Sequence, residues 1–358
     1  MALHTRLYKG RGALSNTTGR YESLTSIAID DGWQAYNDQP SSIKTQWRWD
    51  PSRSIITRNQ SPDIHFDRSI NPFRGCEHGC VYCFARPSHT WLGHSAGLDF
   101  ETRLYAMQHA ADLLKKELAK PSYRCQPIAI GVNTDAYQPL EKQLQITRSI
   151  LEVLNEANHP TNLITKSSLI ERDIDLLSSM AQRNLVSTCV SITSLDSSLS
   201  RKLEPRAVAP HRRFKILQRL HDAGIPTRVS VSPIIPALNE EELDSIIATA
   251  ADCGVQAAYG IILRLPHELQ QLFPEWLEQH YPQRAARIIK AIRSIRGDRL
   301  NSAGFKDRMV GSGPRADIIK QRFKLACKKA GISYARDFTL DCSQFVPPNK
   351  SGQLNLFD

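Results

Sequence analysis

Short β-rich runs alternate with amphipathic segments from about residue 68 to residue 265. This alternation constrains the fold strongly, because a strand–helix–strand unit builds a parallel pair with a right-handed crossover. Six units are too few for an eight-unit barrel, so the sequence predicts an α/β fold, a partial (β/α)6 barrel of the TIM type. The predicted strands lie near 70–73, 127–132, 162–165, 185–193, 227–231 and 257–263, and the predicted helices at 101–119, 140–157, 171–183, 209–223 and 239–252.

Composition and patterning divide the chain into four regions. Residues 1–67 are rich in Gly, Ser, Asn, Thr and charged residues and lack apolar periodicity, so they are predicted to be an irregular N-terminal extension. The barrel is expected to span residues 68–300. Residues 301–346 are predicted to hold a basic helix and a short strand. Residues 347–358 contain Pro347, Pro348 and Gly352, which predicts a flexible C-terminal tail.

The chain has 358 residues, of which 41% are hydrophobic, and this content excludes a disordered chain. No apolar run approaches the ~20 residues of a membrane span, and residues 1–16 lack the apolar stretch of a secretion signal. We therefore expect a cytoplasmic protein without a membrane partner. Eight cysteines are too few for a disulfide scaffold of this length.

Three of the cysteines cluster in the segment NPFRGCEHGCVYCFAR, directly after the first predicted strand. Cys76, Cys80 and Cys83 follow the spacing C-x3-C-x2-C. Three thiolates on one loop can hold three irons of a [4Fe–4S] cluster and leave the fourth iron open. A tetrahedral zinc site needs a fourth ligand, so a zinc knuckle is the alternative. The candidates for that ligand are His78, His89 and His94.

The motif resembles the signature of radical S-adenosylmethionine (radical SAM) enzymes, and the chain is similar to their spore photoproduct lyase-like branch, also called DNA repair photolyase-like. The resemblance covers roughly residues 68–265 and includes the segments LITKSSLI, SITSLD, LEPR and VSVSPIIP. It implies a barrel of the radical SAM type with the cluster at its open end and SAM chelated by the open iron. Reduction then cleaves SAM, and a 5′-deoxyadenosyl radical abstracts a hydrogen atom from the substrate.

SAM requires a cation for its carboxylate and polar partners for its other groups. Lys166, at the end of the third predicted strand, suits the carboxylate, and a surface ion pair is its alternative role. The resemblance implies SAM contacts from Thr134, Lys166 and Ser191. Phe84, after the last cysteine of the motif, is the predicted packing partner of the adenine. Further hydroxyl and amide candidates at strand ends, which could instead only fill the sheet, are Asn133, Thr193 and Ser230.

The chain departs from true spore photoproduct lyases at one position. Those enzymes carry a cysteine in the second-strand motif that returns a hydrogen atom to the product radical, and the segment GVNTDAYQP places Val132 there. A valine side chain cannot donate a hydrogen atom in that way. We therefore expect a related enzyme rather than a true lyase, with Tyr82 and Tyr137 as candidate radical relays.

The charge balance favours a polyanion as partner. Lys and Arg number 46 against 36 Asp and Glu, a formal charge of +10. Basic residues at every third position form a stripe on a predicted helix, suited to DNA, with a merely solvated face as the alternative. The same surface suits an acidic flavodoxin or ferredoxin as reductant. The stripe consists of Arg284, Arg287, Lys290, Arg293 and Arg296.

The C-terminal residues QLNLF resemble the bacterial sliding-clamp binding motif QLxLF. A flexible tail that carries a hydrogen-bonding side chain and apolar anchors suits a preformed pocket on a partner. Folding back onto the barrel is the alternative. The motif residues are Gln353, Leu354, Leu356 and Phe357.

Together these features predict a lyase-like radical SAM enzyme that acts on nucleic acid, such as a DNA lesion. Two alternatives stay open. The first is a radical SAM modifier of RNA, protein or a small molecule. The second is a non-enzymatic, zinc-dependent DNA-binding protein.

Overall fold

The computed structural model describes residues 7–22, 42–335 and 338–348. In these ranges no helix is both long and apolar enough to cross a membrane. The strands are β1 (Gln46–Asp50), β2 (Thr57–Arg58), β3 (Arg68–Ile70), β4 (Phe73–Arg74), β5 (Arg103–Met107), β6 (Ile128–Ile130), β7 (Thr161–Thr165), β8 (Val186–Ser191), β9 (Thr227–Ile234), β10 (Ala257–Ile262) and β11 (Ser333–Tyr334). The helices are α1 (Asp99–Thr102), α2 (Ala110–Leu118), α3 (Glu141–Leu144), α4 (Ile146–Glu156), α5 (Ile174–Ala181), α6 (Ser197–Leu203), α7 (Pro210–Asp222), α8 (Leu243–Asp252), α9 (Leu269–His280), α10 (Pro282–Ser294) and α11 (Pro314–Lys329), with 3-10 turns at Arg86–Leu92, Ser168–Asp173 and Glu240–Glu242.

Six parallel strands form the centre of the fold. β3, β6, β7, β8, β9 and β10 are neighbours in that order, and each adjacent pair is parallel. β2 lies antiparallel beside β3 at one edge, and β11 lies parallel beside β10 at the other. The sheet therefore stays open between these two edges. The predicted partial (β/α)6 barrel is confirmed.

Helix α7 shows how local sequence specifies these units. It begins with Pro210, whose fixed φ suits the first helical turn. Ile216, Leu217 and Leu220 are fully buried on the face that packs toward β8 and β9. The helix is followed by Gly224 with a φ of +73°, a conformation that favours glycine. The chain then enters β9 directly.

The predicted helix at 101–119 is wrong over residues 103–107. This segment is β5, which pairs parallel with β1 and antiparallel with β4 in a separate three-stranded sheet. Leu104 and Ala106 are buried on alternate positions, as a strand requires. The partner strand β1 lies inside the predicted irregular extension, more than fifty residues earlier. Local periodicity could not reveal a pairing between such distant segments.

The N-terminal segment packs against the cysteine loop. The backbone N–H groups of Gly12 and Ala13 donate to the two carboxylate oxygens of Glu101, at 3.0 and 2.8 Å. The buried Arg11 donates from Nη1 to the Glu101 carbonyl at 2.7 Å. A Cβ atom added to Gly12 would lie only 1.9 Å from the carbonyl oxygen of Gly79. This close approach therefore requires glycine at position 12.

We expect Gly12→Ala to destabilise the fold, because the new methyl group must push the segment away from Gly79. Overpacking of this kind costs about 1–3 kcal/mol. Urea denaturation followed by circular dichroism measures the free energy of unfolding. The control is Gly304→Ala, since a Cβ there meets only a side-chain oxygen at 3.9 Å. Equal stability of the two variants would contradict the close packing described here.

Candidate active site

A cavity of about 270 Å³ opens at the C-terminal ends of the parallel strands. This is the end at which barrels of parallel strands carry their chemistry. The three motif cysteines line one wall of the cavity, residues on and after β6 to β10 line much of the rest, and residues 64–66 and Met309 complete it. The fold therefore brings residues from five strand ends to the cysteine loop.

Hydrogen bonds and two left-handed glycines fix the cysteine loop. The N–H of Cys76 donates to the Phe100 carbonyl at 2.9 Å, and the N–H of Cys83 donates to the Cys80 carbonyl at 3.2 Å. Gly75 and Gly79 have φ values of +76° and +67°, which few other residues adopt at low cost. The loop thus presents all three thiols to one cavity.

Burial controls the electrostatics of these thiols. Burial is the largest cause that raises the pKa of Cys76 well above its ordinary value, and it raises the pKa of Cys80 to about 12 although Lys166 acts to lower it. Thiolates at these positions therefore require a compensating metal charge. Soft thiolate ligands on a short loop fit an iron–sulfur cluster with one open iron.

The predicted zinc alternative finds no ligand set in the described ranges. No three His, Cys, Asp or Glu side chains there are placed to hold a single metal ion. The ring of His89 packs edge-on against Phe100 at 5.6 Å. His94 Nε2 lies 2.7 Å from the hydroxyl of Tyr105. These two rings are thus engaged with aromatic neighbours.

A buried carboxylate, Glu204, organises the wall behind the cysteines. It forms an ion pair with Arg213 and accepts hydrogen bonds from the hydroxyls of Tyr82 and, at 2.9 Å, Thr193. Burial raises the pKa of Glu204, but the charges of Arg213 and Lys166 outweigh this effect and hold the pKa below its usual range. Glu204 therefore stays ionised.

A second buried carboxylate, Asp135, fixes the end of β7. It accepts hydrogen bonds from the Thr165 hydroxyl at 2.7 Å and the Lys166 backbone N–H at 2.9 Å. His78 Nδ1 lies 3.3 Å from Oδ2, the oxygen that also accepts from the Lys166 N–H. Burial raises the pKa of Asp135, yet His78, Lys166 and these hydrogen bonds lower it more, so its pKa lies below the usual range.

Lys166 lines the cavity between these two carboxylates. Burial lowers its pKa, but Cys80, Glu204 and Asp135 together raise it above the ordinary value. Among the residues that the structure describes, none forms an ion pair with Lys166 within 4 Å. Its positive charge is therefore stabilised at a distance and available to an anionic group in the cavity.

The structure brings most predicted site residues to the cavity, but not all of them. Thr134 donates its hydroxyl to the Phe73 carbonyl at 2.7 Å, so it points away from the cavity that both of its neighbours line. Thr193 lies in the Glu204 network instead. Tyr137 lies fully buried in the core, beside Asp173. The predicted residues that line the cavity are Cys76, Cys80, Tyr82, Cys83, Phe84, Asn133, Lys166, Ser191 and Ser230.

The sequence matches the profile of the radical SAM superfamily over residues 70–250, half of the chain. The chain belongs to the radical SAM superfamily. The predicted family and the predicted cofactors, a [4Fe–4S] cluster and SAM, are thereby confirmed. The three thiols fit that cluster, and the cavity beside them provides the charged and polar side chains that SAM requires.

Curated relatives are themselves uncharacterized. A protein of Mycobacterium tuberculosis is 33% identical over 232 residues, which cover 64% of this chain and 68% of the relative. A protein of Methanocaldococcus jannaschii is 28% identical over 214 residues, or 60% and 76% of the two chains. The sequence relationship therefore links this chain to further proteins but does not assign a substrate.

Solved structures show the same fold. A spore photoproduct lyase variant with bound AdoMet and dinucleoside spore photoproduct aligns with a TM-score of 0.55 at 15% identity, over 82% of each chain. A second lyase variant, with the dinucleoside spore photoproduct, covers 88% of each chain with a TM-score of 0.55. At this identity the likeness establishes the radical SAM barrel and not the reaction.

The predicted basic stripe holds for four of its five residues. Arg284, Arg287, Lys290 and Arg293 are exposed on α10. The prediction is wrong for Arg296, which is 3% exposed and donates to the carbonyls of residues 262, 263 and 307. The helix ends at Ser294, so the three-residue spacing no longer places position 296 on the same face. The predicted clamp motif, Gln353, Leu354, Leu356 and Phe357, lies outside the described residues.

Sequence reasoning missed most of the supporting charges of this radical SAM site. Asp135 closely follows the second predicted strand, and this position makes it a candidate polar partner of SAM from the sequence alone. Glu204 and Arg213 carried no such signal, because their pairing joins a loop to a helix. Arg264 follows the sixth strand, and its position at the cavity depends on the chain path after β10.

We expect Glu204→Gln to lower the free energy of unfolding by about 3–5 kcal/mol, because Arg213 would remain buried without its counter-charge. Urea denaturation measures the effect. Asp175→Asn is the control, since it breaks an exposed ion pair with Arg148 and should cost at most about 1 kcal/mol. Similar losses in the two variants would show that Glu204 does not organise the buried wall.

Proposed function

We propose that the chain is a radical SAM enzyme that acts on nucleic acid, with Cys76, Cys80 and Cys83 as the ligands of its [4Fe–4S] cluster. When bound, the cluster and SAM supply one-electron cleavage of SAM and hydrogen-atom abstraction from the substrate. The protein supplies binding, orientation and exclusion of water. We infer a nucleic-acid substrate from the cavity beyond the cysteines and from the side chains that line it.

The cysteine-lined cavity adjoins a second one of about 560 Å³. His65, Tyr259 and Met309 line both cavities, so the two lie next to each other at these residues. Phe305 and Lys306 line the second cavity, and the Phe305 side chain is half exposed. Aromatic rings interleaved with basic side chains are typical of surfaces that bind single-stranded nucleic acid.

Helix α10 adds four exposed basic residues to the surface of the protein. None of these four forms a salt bridge among the described residues. Such a surface attracts a phosphate backbone, and this attraction weakens as the salt concentration rises. The same surface would dock an acidic flavodoxin or ferredoxin, which would supply the electron. The fold neighbour that binds a dinucleoside photoproduct is consistent with a nucleic-acid substrate.

Within the cavity, we assign the SAM carboxylate to Lys166. Its ammonium group has no ion-pair partner among the described residues and faces the same cavity as the thiols. Ser191, at the end of β8, and Ser230, within β9, add hydroxyl groups to the cavity wall. The exposed ring of Phe84 suits the adenine. Apolar residues of β7 and β10, Ile164 and Ile261, cover the remaining wall and limit water.

The direct test is the formation of 5′-deoxyadenosine. The anaerobically reconstituted protein is reduced with dithionite in the presence of SAM, and the product is quantified by chromatography. We expect formation in the wild type and in Cys253→Ala, whose cysteine caps α8 outside the cavity, and none in Cys80→Ala. Ultraviolet-irradiated DNA, intact DNA and RNA are compared for stimulation of the rate.

Stimulation by one nucleic acid, several-fold over the protein alone, would support the proposed substrate. Stimulation by peptides or small molecules and by no nucleic acid would overturn the substrate but keep the radical SAM chemistry. An intact cluster that yields no 5′-deoxyadenosine under any condition would overturn the enzyme itself.

We expect Lys166→Met to weaken SAM binding by about tenfold or more, because a buried charged hydrogen bond to the carboxylate is lost. Equilibrium binding of radiolabelled SAM to the reconstituted protein measures this. Lys142→Met, on the exposed face of α3, serves as the control and should bind SAM like the wild type. Unchanged SAM affinity in Lys166→Met would remove Lys166 from the cofactor site.

A further inference from the structure

We propose that Arg264 binds a phosphodiester group of the substrate strand at the mouth of the cysteine-lined cavity. This inference rests on the proposed function, and it names the residue that would set the position of the strand. Arg264 follows β10 and lines the cavity on the side opposite β6. It belongs neither to the cysteine loop nor to the Glu204 network.

The guanidinium group of Arg264 is held in place, but its N–H donors lack strong acceptors among the described residues. Its carbon lies 5.3 Å from the ring centroid of Phe84, directly after the third cysteine. Its Nη1 lies 3.5 Å from the sulfur of Met309, a weak acceptor. Its Nε is buried and has no hydrogen-bond partner among the residues that the structure describes. A stacked, planar guanidinium with spare donors is suited to a phosphate.

Carboxylates do not neutralise this part of the site. Among the described residues, no Asp or Glu forms an ion pair with Arg264. Asp63 acts on it from a distance, but both oxygens of Asp63 bind Arg308, each at 2.5 Å. The neighbouring Arg296 donates only to backbone carbonyls. Asp307 acts on Arg296 and Asp63 on Arg264 and Arg308, so three guanidinium groups face two carboxylates, and the excess positive charge favours an anionic ligand.

The position of Arg264 fits a strand that enters through the second cavity. Met309, its sulfur contact, is one of the residues that line both cavities. Lys306 and Phe305 lie farther out along the same loop. A strand whose base reaches the cysteine-lined cavity would therefore place a flanking phosphate against Arg264, while the exposed Phe84 and Phe305 rings offer stacking faces.

The test measures binding of a fluorescein-labelled, single-stranded 12-mer of thymidylate to the reconstituted holoenzyme by anaerobic anisotropy. We expect Arg264→Gln to weaken binding about tenfold and to reduce the slope of log K against log salt by about 0.7, the loss of one phosphate contact. Arg264→Lys keeps the charge but not the planar donors, so its affinity for the 12-mer should lie between those of the wild type and Arg264→Gln.

Two controls separate binding from folding and from the cofactor. Arg219→Gln removes an exposed arginine on α7, far from the cavity, and should bind the 12-mer like the wild type. Absorption near 400 nm verifies the cluster in each variant. Binding of radiolabelled SAM is measured in parallel and should not change in Arg264→Gln.

The outcomes distinguish this inference from the proposed function. If the wild type binds the 12-mer and Arg264→Gln binds it with the same affinity and salt slope, the role of Arg264 is overturned and the proposed function stands. If Arg264→Gln loses SAM and not the 12-mer, Arg264 belongs to the cofactor, and the inference is again wrong. If the wild type does not bind the 12-mer, the inference is wrong, and stimulation of 5′-deoxyadenosine formation by nucleic acid decides the proposed function separately. Should Arg264→Gln lose the cluster, the comparison of Arg264→Lys with the wild type decides by the same criteria.

Discussion

The position of the cysteine loop depends on one fully buried ion pair, between Arg86 and Glu101. The guanidinium of Arg86 also donates to four backbone carbonyls, those of residues 79, 80, 96 and 97. Glu101 uses its remaining lone pairs on the N–H groups of Gly12 and Ala13. A buried ion pair is tolerated only when its donors and acceptors are matched in this way. One pair therefore ties the N-terminal segment, the loop and α1 together.

The open end of the barrel repeats this arrangement around the cavity. Glu204 and Asp135 are each ionised, and each accepts hydrogen bonds from hydroxyl or backbone donors, while Arg213 forms an ion pair with Glu204. Their charges keep Lys166 protonated without forming a salt bridge to it. The result is a cationic side chain that is held by distant charges and still free to contact a ligand. Tighter pairing would stabilise Lys166 equally well and would block that contact.

Local patterns predicted the parts of this molecule that local interactions determine. The six strands of the barrel, α7 and the cysteine spacing could be predicted because apolar periodicity and glycine positions are short-range signals. Residues 103–107 could not, since their strand pairs with β1 across a long stretch of sequence. The predictions for Thr134 and Arg296 were wrong for a related reason. Their side-chain directions depend on where one strand or helix ends, and such ends are set by packing.

The radical SAM profile ends before the segment to which we assign the substrate. Residues 70–250 contain the cysteines, Asp135, Lys166 and Glu204, which we propose to hold or to surround the cluster and SAM. Arg264, Phe305 and Lys306 follow that span, and residues 63–66 precede it. Substrate choice can therefore change in these flanking segments without disturbing the cluster or SAM. Proteins with 15% identity can therefore keep one barrel.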